Sequence, residues 1–279
     1  MQHSLRGFNS FGVECLADEF VSVRSEADLQ ETLVDAKRRG IPVTILGGGT
    51  NVLCLARIPG RVVHIEIHGM SFTQLENGQF GVSACAGESW HELVHATLER
   101  GISGLENLAL IPGTVGAAPM QNIGAYGREL AGMVHTVRVY DRDADGFVEM
   151  PASECGFAYR DSVFKNVARN KYVVTALNLR LGGLPLETSY PDVALELERL
   201  GLAAPSAVQV AEAVTRIRLR KLPQPAEVGN AGSFFKNPTV DGRQLETLRK
   251  HLKLDAFAEG AQQHKISAAR LIDAAGWKG

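Results

Sequence analysis

Apolar residues at helical spacing open the readable part of the chain. Ser25 followed by Asp28 marks a helix start, Leu29, Leu33 and Val34 give that helix an apolar side, and Gly40 can close it. Residues 42–46 (PVTIL) then read as a strand. It runs straight into Gly47-Gly48-Gly49-Thr50-Asn51, a glycine cluster at a strand end, where backbone can turn sharply and present donors. Strands are expected at 61–67 and 80–85, separated by a turn-rich GMSFTQLENG, and a helix at 90–100. Residues 134–140 and 147–150 flank the polar turn DRDADG, a hairpin signal, and 172–181 alternates as another strand. From 206 to about 221 a Ser-x-x-Gln start and Val208, Ala211, Val214 and Ile217 predict an amphipathic helix, stopped by Pro223 and Pro225. GNAGSFFKNP and helices at 245–252 and 267–275 begin a further unit. Strands and helices mix without a regular βαβ beat, which predicts an α+β fold rather than a doubly wound sheet.

One segment breaks the pattern. Residues 101–127 hold six glycines, two prolines and almost no charge, in a chain of which 22% is charged. Structureless segments of that length in compact domains are functional or disordered, and this one is too apolar for disorder. Its Gly-rich backbone, with Asn and Gln but few cations, suits a nucleotide-type cofactor whose negative charge is met by main-chain N–H groups.

Composition narrows the partner. The 279 residues, 45% of them hydrophobic, are enough for about two domains with cores of their own. Lys plus Arg is 29 against 31 for Asp plus Glu, a net charge of −2, so no basic field draws nucleic acid or an anionic membrane, and a small molecule is expected instead. Cys15, Cys54, Cys85 and Cys155 are scattered, which predicts free thiols in a reducing compartment. The first residues lack an apolar signal core and nowhere do 18 apolar residues run together, so a cytoplasmic location is expected.

Short motifs are weighed against ordinary structural roles. His91-Glu-Leu-Val-His95 matches the zinc-protease helix pattern, and a zinc hydrolase is the remote alternative. Ser89-x-x-Glu92 is a capping box that gives Glu92 a local task, leaves His91 in a fraying first turn and favours a surface role over metal. Gly47-x-Gly49 is followed by Val52 where a dinucleotide fingerprint needs its third glycine, and no glycine loop ends in Gly-Lys-Ser/Thr. Arg160 in YRDS reads either as a surface partner of Asp161 or as a fork for a carboxylate. Arg216, Arg218, Arg220 and Lys221 complement a helix C-terminus, with Lys221 aimed at whatever the next segment encloses. GNAGSFFKNP reads as a turn into a buried edge strand, with Ser233 satisfied by backbone, or as a functional loop; no His-Asp pair beside it forms a hydrolase triad.

Taken together, LGGGTNVL (46–53), GLENLALIPGTVGAAPMQNIGAYG (104–127), YRDS (159–162), KLP (221–223) and GNAGSFFKNP (229–238) resemble the bacterial UDP-N-acetylenolpyruvoylglucosamine reductases, in an order and spacing that cover nearly the whole chain from Phe8. The resemblance implies a two-subdomain FAD-binding fold of the vanillyl-alcohol-oxidase type, at 1–68 and 69–221, and a substrate-binding α+β domain from 222 to 279. It implies noncovalent FAD held by Gly47, Gly48, Gly49, Thr50, Asn51 and Val52, and by Gly113, Thr114, Val115, Gly116, Gln121, Asn122, Gly124 and Tyr126, with Arg218 near the flavin ring. NADPH would reduce the flavin. The enolpyruvyl ether of UDP-N-acetylglucosamine would then be reduced to UDP-N-acetylmuramate for peptidoglycan synthesis, with Arg160 stabilising developing carboxylate charge and Ser233 donating the proton. Lys221 and Asn237 match residues that hold the diphosphate and uridine end of the substrate, and Tyr190 matches the tyrosine of a closing loop. The expected protein is a monomer that binds no metal. The family's last domain extends past the position of Gly279 and supplies there a Glu that works with the Arg; no residue here matches it, so the expectation is bound flavin with little or no turnover.

Overall fold

The computed structural model describes residues 2–254, 256–258 and 262–277. By internal contacts the chain divides into two compact units, Met1–Ala231 and Gly232–Gly279.

The first unit opens with a four-stranded sheet built from β1 (His3–Ser4), β2 (Leu16–Val23), β3 (Val43–Leu46) and β4 (Arg57–Ile65), in the order β1-β2-β4-β3. Strand β4 runs parallel to both β2 and β3, and β1 is antiparallel to β2. Helix α1 (Glu26–Arg38) joins β2 to β3. Its ends follow the sequence signals: the Ser25 hydroxyl accepts from the Asp28 N–H, the Asp28 carboxylate accepts from the Arg24 N–H at 3.1 Å, and Gly40 follows the last turn at φ +66°.

The second sheet is antiparallel throughout. It comprises β5 (Met70–Gln74), β6 (Phe80–Cys85), β9 (Val134–Asp141), β10 (Gly146–Pro151) and β11 (Tyr172–Leu181), in the order β10-β9-β11-β6-β5. A short hairpin of β7 (Gly124–Ala125) and β8 (Arg128–Glu129) stands apart from it. The expected hairpin around DRDADG is present as β9–β10. The supposed turn region at 70–74 is instead the edge strand β5; its Met70 and Phe72 pack on the core, an apolar alternation that the surrounding Gly, Ser and Asn obscured.

Helix α2 (Trp90–Glu99) buries Trp90, Leu93 and Val94 against this sheet, and α4 (Ala207–Lys221) buries Val210, Ala213, Val214 and Ile217 in the same core. At α4 the capping box is complete, with Ser206 and Gln209 exchanging both bonds. At α2 only half forms: the Ser89 hydroxyl accepts from the Glu92 N–H, while the Glu92 carboxylate makes no return bond among the described residues. Helix α3 (Pro191–Arg199), which begins at Pro191 and packs on α4, lies where the sequence reading placed no helix, although Val193 and Leu197 recur at helical spacing.

The two sheets share a core. Leu29 and Leu33 of α1, Val63 and Ile65 of β4, and Tyr140 and Val173 of the second sheet form one cluster. Above it Arg138 donates from Nε and Nη2 to the two Glu26 oxygens at 2.6 and 2.8 Å, and the Thr175 hydroxyl donates to Glu26 Oε1. Residues 222–231 stay with this unit: the Asn230 N–H donates to the Ser10 carbonyl, and the Ser10 hydroxyl donates back to the Asn230 carbonyl at 2.6 Å.

The second unit is a three-stranded antiparallel sheet of β12 (Thr239–Asp241), β13 (Ala256–Ala258) and β14 (Gln263–Ile266), in the order β12-β14-β13, with α5 (Gly242–Arg249) and α6 (Ala268–Ala274). Leu245, Leu254 and Ile266 form its small core. The GNAGSFFKNP segment is not a buried edge strand. It has no regular structure and leaves Phe234 80% and Phe235 62% exposed, so its apolar residues are presented rather than packed. The Ser233 hydroxyl is exposed and makes no hydrogen bond among the described residues.

Candidate functional site: a two-loop glycine cradle

The first unit brings the loop after β3 against the loop after α2. A Cβ on Gly47 would lie 2.7 Å from Thr114 Oγ1, one on Gly48 3.1 Å from the Gly113 Cα, and one on Gly113, at φ +112°, 2.8 Å from Thr50 Oγ1. Gly49, at φ +60°, lies so close to the Phe8 carbonyl that any side chain would overlap it. Side chains tie the loops together: Thr50 Oγ1 donates to the Pro112 carbonyl at 3.3 Å and Asn51 Nδ2 to Gln121 Oε1 at 3.0 Å.

The N–H groups divide into two sets. Those of Val115 and Gly116 are already used, donating to the carbonyls of Glu88 and Ala86. These two residues therefore form the wall of the cradle, and Gly116 is glycine because its Cβ would meet the Ala86 Cβ at 2.6 Å. The N–H groups of Gly48, Gly49, Thr50, Asn51 and Val52, and of Gly113 and Thr114, donate to no protein acceptor among the described residues. Thr114 Oγ1 is buried beside them without a partner. Backbone donors without protein partners on glycine-lined loops are suited to receive an anion.

Beyond the cradle lies a cluster of strained backbone. Leu110, Asn122, Tyr126 and Arg160 all take positive φ, between +44° and +57°. Such conformations are costly for side chains of this size and gather where surrounding structure imposes them. Asn122 is buried and fully engaged, with Nδ2 donating to Glu129 Oε2 and the Ala158 carbonyl and Oδ1 accepting from the Ala131 N–H, so it braces the loop. Arg160 Nη2 donates to the Gly124 carbonyl at 2.5 Å. A Cβ at Gly124 would sit 2.9 Å from the Arg128 backbone carbonyl oxygen, which explains the glycine. Arg160 makes no ion pair with Asp161; that carboxylate accepts from Asn166 and from the Ser162 N–H, so the surface-pair reading of YRDS fails.

Tyr126 packs edge-on against Tyr190 with centroids 5.5 Å apart. Burial pushes the Tyr126 phenol up, partly opposed by Arg218, and burial pulls the Arg218 guanidinium down. Arg218 is half-buried and donates from Nε to the Leu110 carbonyl at 3.2 Å, so it is no mere complement to the helix end. Arg220 is spoken for by the buried Glu196, and Lys221 by Asp192 at 2.6 Å, so the Lys221 ammonium is not free. Asn107, which sequence reasoning missed, is fully buried and donates to both the Tyr126 and the Glu187 carbonyls at 2.9 Å, tying the cradle loop to the segment bearing Tyr190. Nothing but its place in the uncharged run could have flagged it. In the second unit, Asn237 Oδ1 accepts from the Ala268 N–H at the start of α6.

His91 and His95 place their Nε2 atoms 3.2 Å apart, and His91 Nδ1 accepts from the Leu110 N–H at 3.1 Å. A metal at Nε2 would require a proton at Nδ1, where that bond forbids one. His91 is thus anchored rather than frayed, and the described residues include no group of three or more side chains suited to a metal ion.

Residues 17–148 match a family model for the FAD binding domain, and residues 224–279 match the C-terminal domain of UDP-N-acetylenolpyruvoylglucosamine reductase. The reductase of that name from Cupriavidus pinatubonensis is 45% identical over 280 residues, which cover 99% of this chain and 82% of that protein. The chain belongs to the UDP-N-acetylenolpyruvoylglucosamine reductase family. It is accordingly a flavin-dependent oxidoreductase with the α+β FAD-binding fold that its motifs implied. The reductase from Pseudomonas fluorescens is 43% identical over 282 residues, covering 100% of this chain and 82% of its own length. Among solved structures, the family member from Thermus caldophilus shares the fold at a TM-score of 0.60 and 24% identity, covering 99% of this chain and 93% of that one.

Proposed function

We propose that the protein catalyses the NADPH-dependent reduction of UDP-N-acetylglucosamine enolpyruvate to UDP-N-acetylmuramate, using noncovalent FAD. The observation behind this reading is the set of unpaired N–H groups at 48–52 and 113–114 around the unsatisfied Thr114 hydroxyl, which suits the FAD diphosphate. Bound there, FAD would relay a hydride from NADPH to the vinyl carbon of the substrate.

The chain's own residues supply the rest. Hydride addition drives negative charge into the substrate carboxylate, and Arg160, with only one of its nitrogens committed to Gly124, has donors left to receive it. Ser233 would deliver the proton to the neighbouring carbon; a hydroxyl is a weak acid, effective only when held against a high-energy carbanion away from water. Lys221 would exchange its bond to Asp192 for the substrate diphosphate, Asn237 would serve the nucleotide end, and Tyr190 would close over it beside Tyr126. In this reading residues 1–68 and 69–221 hold the cofactor and the segment from 222 takes the substrate. The protein works as a monomer in the cytoplasm; no helix among the described residues is long and apolar enough to cross a membrane.

The test is anaerobic reduction of the purified flavoprotein by NADPH, followed by addition of the enolpyruvyl nucleotide sugar. Substrate-dependent reoxidation of the flavin with formation of UDP-N-acetylmuramate is expected of this reading, and bound flavin with little or no turnover of the alternative, a catalytically impaired FAD-binding fragment. A protein that binds no flavin, or a reduced flavin indifferent to the substrate, refutes the reading.

A further inference from the structure

His91 stands in the first turn of α2, after Trp90, whose indole N–H donates to the Leu108 carbonyl at 3.0 Å. Two consecutive residues of α2 therefore grip the 108–110 loop. Leu110 is held on both sides: its N–H donates to His91 Nδ1 at 3.1 Å and its carbonyl accepts from Arg218 Nε at 3.2 Å. It is also a leucine at φ +57°, a conformation it would leave without such support. Arg218 also lies near enough to the Tyr126 phenol to oppose its upward shift.

We propose that His91 is a positioning residue for Arg218, acting through the backbone of Leu110. The proposal rests on the reading of Arg218 as the cation beside the flavin. His91 must be neutral to serve, since Nδ1 can accept the Leu110 N–H only without a proton, and its Nε2–H then points at His95. Burial first, and then His95, hold the imidazole below its ordinary value of 6.5, with Glu92 opposing them. Among the described residues the facing segment gives His91 the Leu110 N–H; it also carries the buried Glu106, whose carboxylate accepts from the Gly104 N–H, and Arg218 and Tyr126 lie beyond Leu110. A proton on Nδ1, arriving only as pH falls through the lowered folded-state value, breaks the bond and frees Leu110 to relax, carrying the Arg218 acceptor with it.

Three side chains at position 91 separate this from a packing role. In His91→Asn the Oδ1 atom replaces Nδ1 as acceptor, whereas His91→Leu keeps bulk and loses the acceptor. In the full chain, His91→Leu is expected to speed Leu110 amide exchange about tenfold and weaken FAD binding by up to about tenfold, the reach of one lost hydrogen bond. His91→Asn is expected to restore both and to remove the acid loss of FAD affinity expected of the parent protein. In an Arg218→Gln background, His91→Leu adds nothing to the FAD defect. Two readouts need no flavin: NMR of the parent imidazole should show unprotonated Nδ1, and the Tyr126 phenol should titrate higher in His91→Leu as Arg218 withdraws. A full additional loss in the Arg218→Gln background, a His91→Asn as impaired as His91→Leu, or an unmoved Tyr126 titration overturns the proposal. Absence of FAD binding in the parent protein would count against the cofactor reading alone, leaving the amide, imidazole and phenol measurements to decide.

Discussion

Replacing Thr114 with valine should stabilise the protein without cofactor and destabilise its complex with FAD. Thr114 Oγ1 is buried and has no hydrogen-bond partner. An unsatisfied buried hydroxyl costs about 1–3 kcal/mol, which an isosteric methyl removes. For a unit of this size each kcal/mol moves the melting temperature by roughly 2–4 °C, so the cofactor-free variant should melt roughly 2–12 °C higher. With FAD bound the sign reverses. A hydrogen bond to a charged diphosphate oxygen contributes about 1.5–3 kcal/mol, so its loss should weaken FAD binding on the order of 10- to 150-fold. Paired thermal melts with and without FAD, and a flavin fluorescence titration, measure both quantities on one preparation. A cofactor-free Thr114→Val that melts lower than the parent, together with unchanged FAD affinity, would show that the hydroxyl is satisfied by something other than the cofactor.

Other perturbations probe the frame around the site. Gly116→Ala forces a methyl to 2.6 Å from the Ala86 Cβ and should cost about 1–3 kcal/mol of stability in chemical denaturation. Glu26→Gln should cost about 1 kcal/mol near neutral pH, allowing for the solvent exposure of the Arg138 pair. Because the Arg138 hydrogen bond holds the Glu26 carboxyl below its ordinary 4.5, that contribution is complete above this value and disappears as pH falls through the lower folded-state value; the parent and variant denaturation curves should converge there. Cys155, whose thiol burial pushes up to about 12, should resist alkylation at pH 8 in the folded protein and react once it is unfolded, as mass spectrometry of the labelled peptides can show.

Regular elements were legible where side-chain period and end signals agree. α1 and α4 are bounded by Ser25, Gly40 and Ser206, and the β9–β10 hairpin by its DRDADG turn, all local features that the fold leaves intact. The failures have a common physical cause. β5 is short and polar because it is an edge strand with one wet face, and α3 is so short that Val193 and Leu197 are its one buried apolar pair at helical spacing. The glycine loops were readable as a cofactor surface, yet which N–H groups face outward was not. Val115 and Gly116 lose theirs to Glu88 and Ala86, partners that chain distance conceals. Likewise the bond from Leu110 to His91 joins residues 19 positions apart, so a sequence motif suggested zinc where geometry gives a backbone anchor.

The left-handed residues around Arg160 bear on any effort to harden this protein against heat. Leu110, Tyr126 and Arg160 each occupy backbone space that glycine or asparagine would fill with less strain, so an unguided search for higher melting temperature will keep selecting such replacements. Each gain would delete a ring or guanidinium that the site is built to display, or loosen the seat of one. Thermal selection and cofactor chemistry therefore pull in opposite directions at these three codons, and libraries that hold them fixed should yield variants that are both sturdier and still competent.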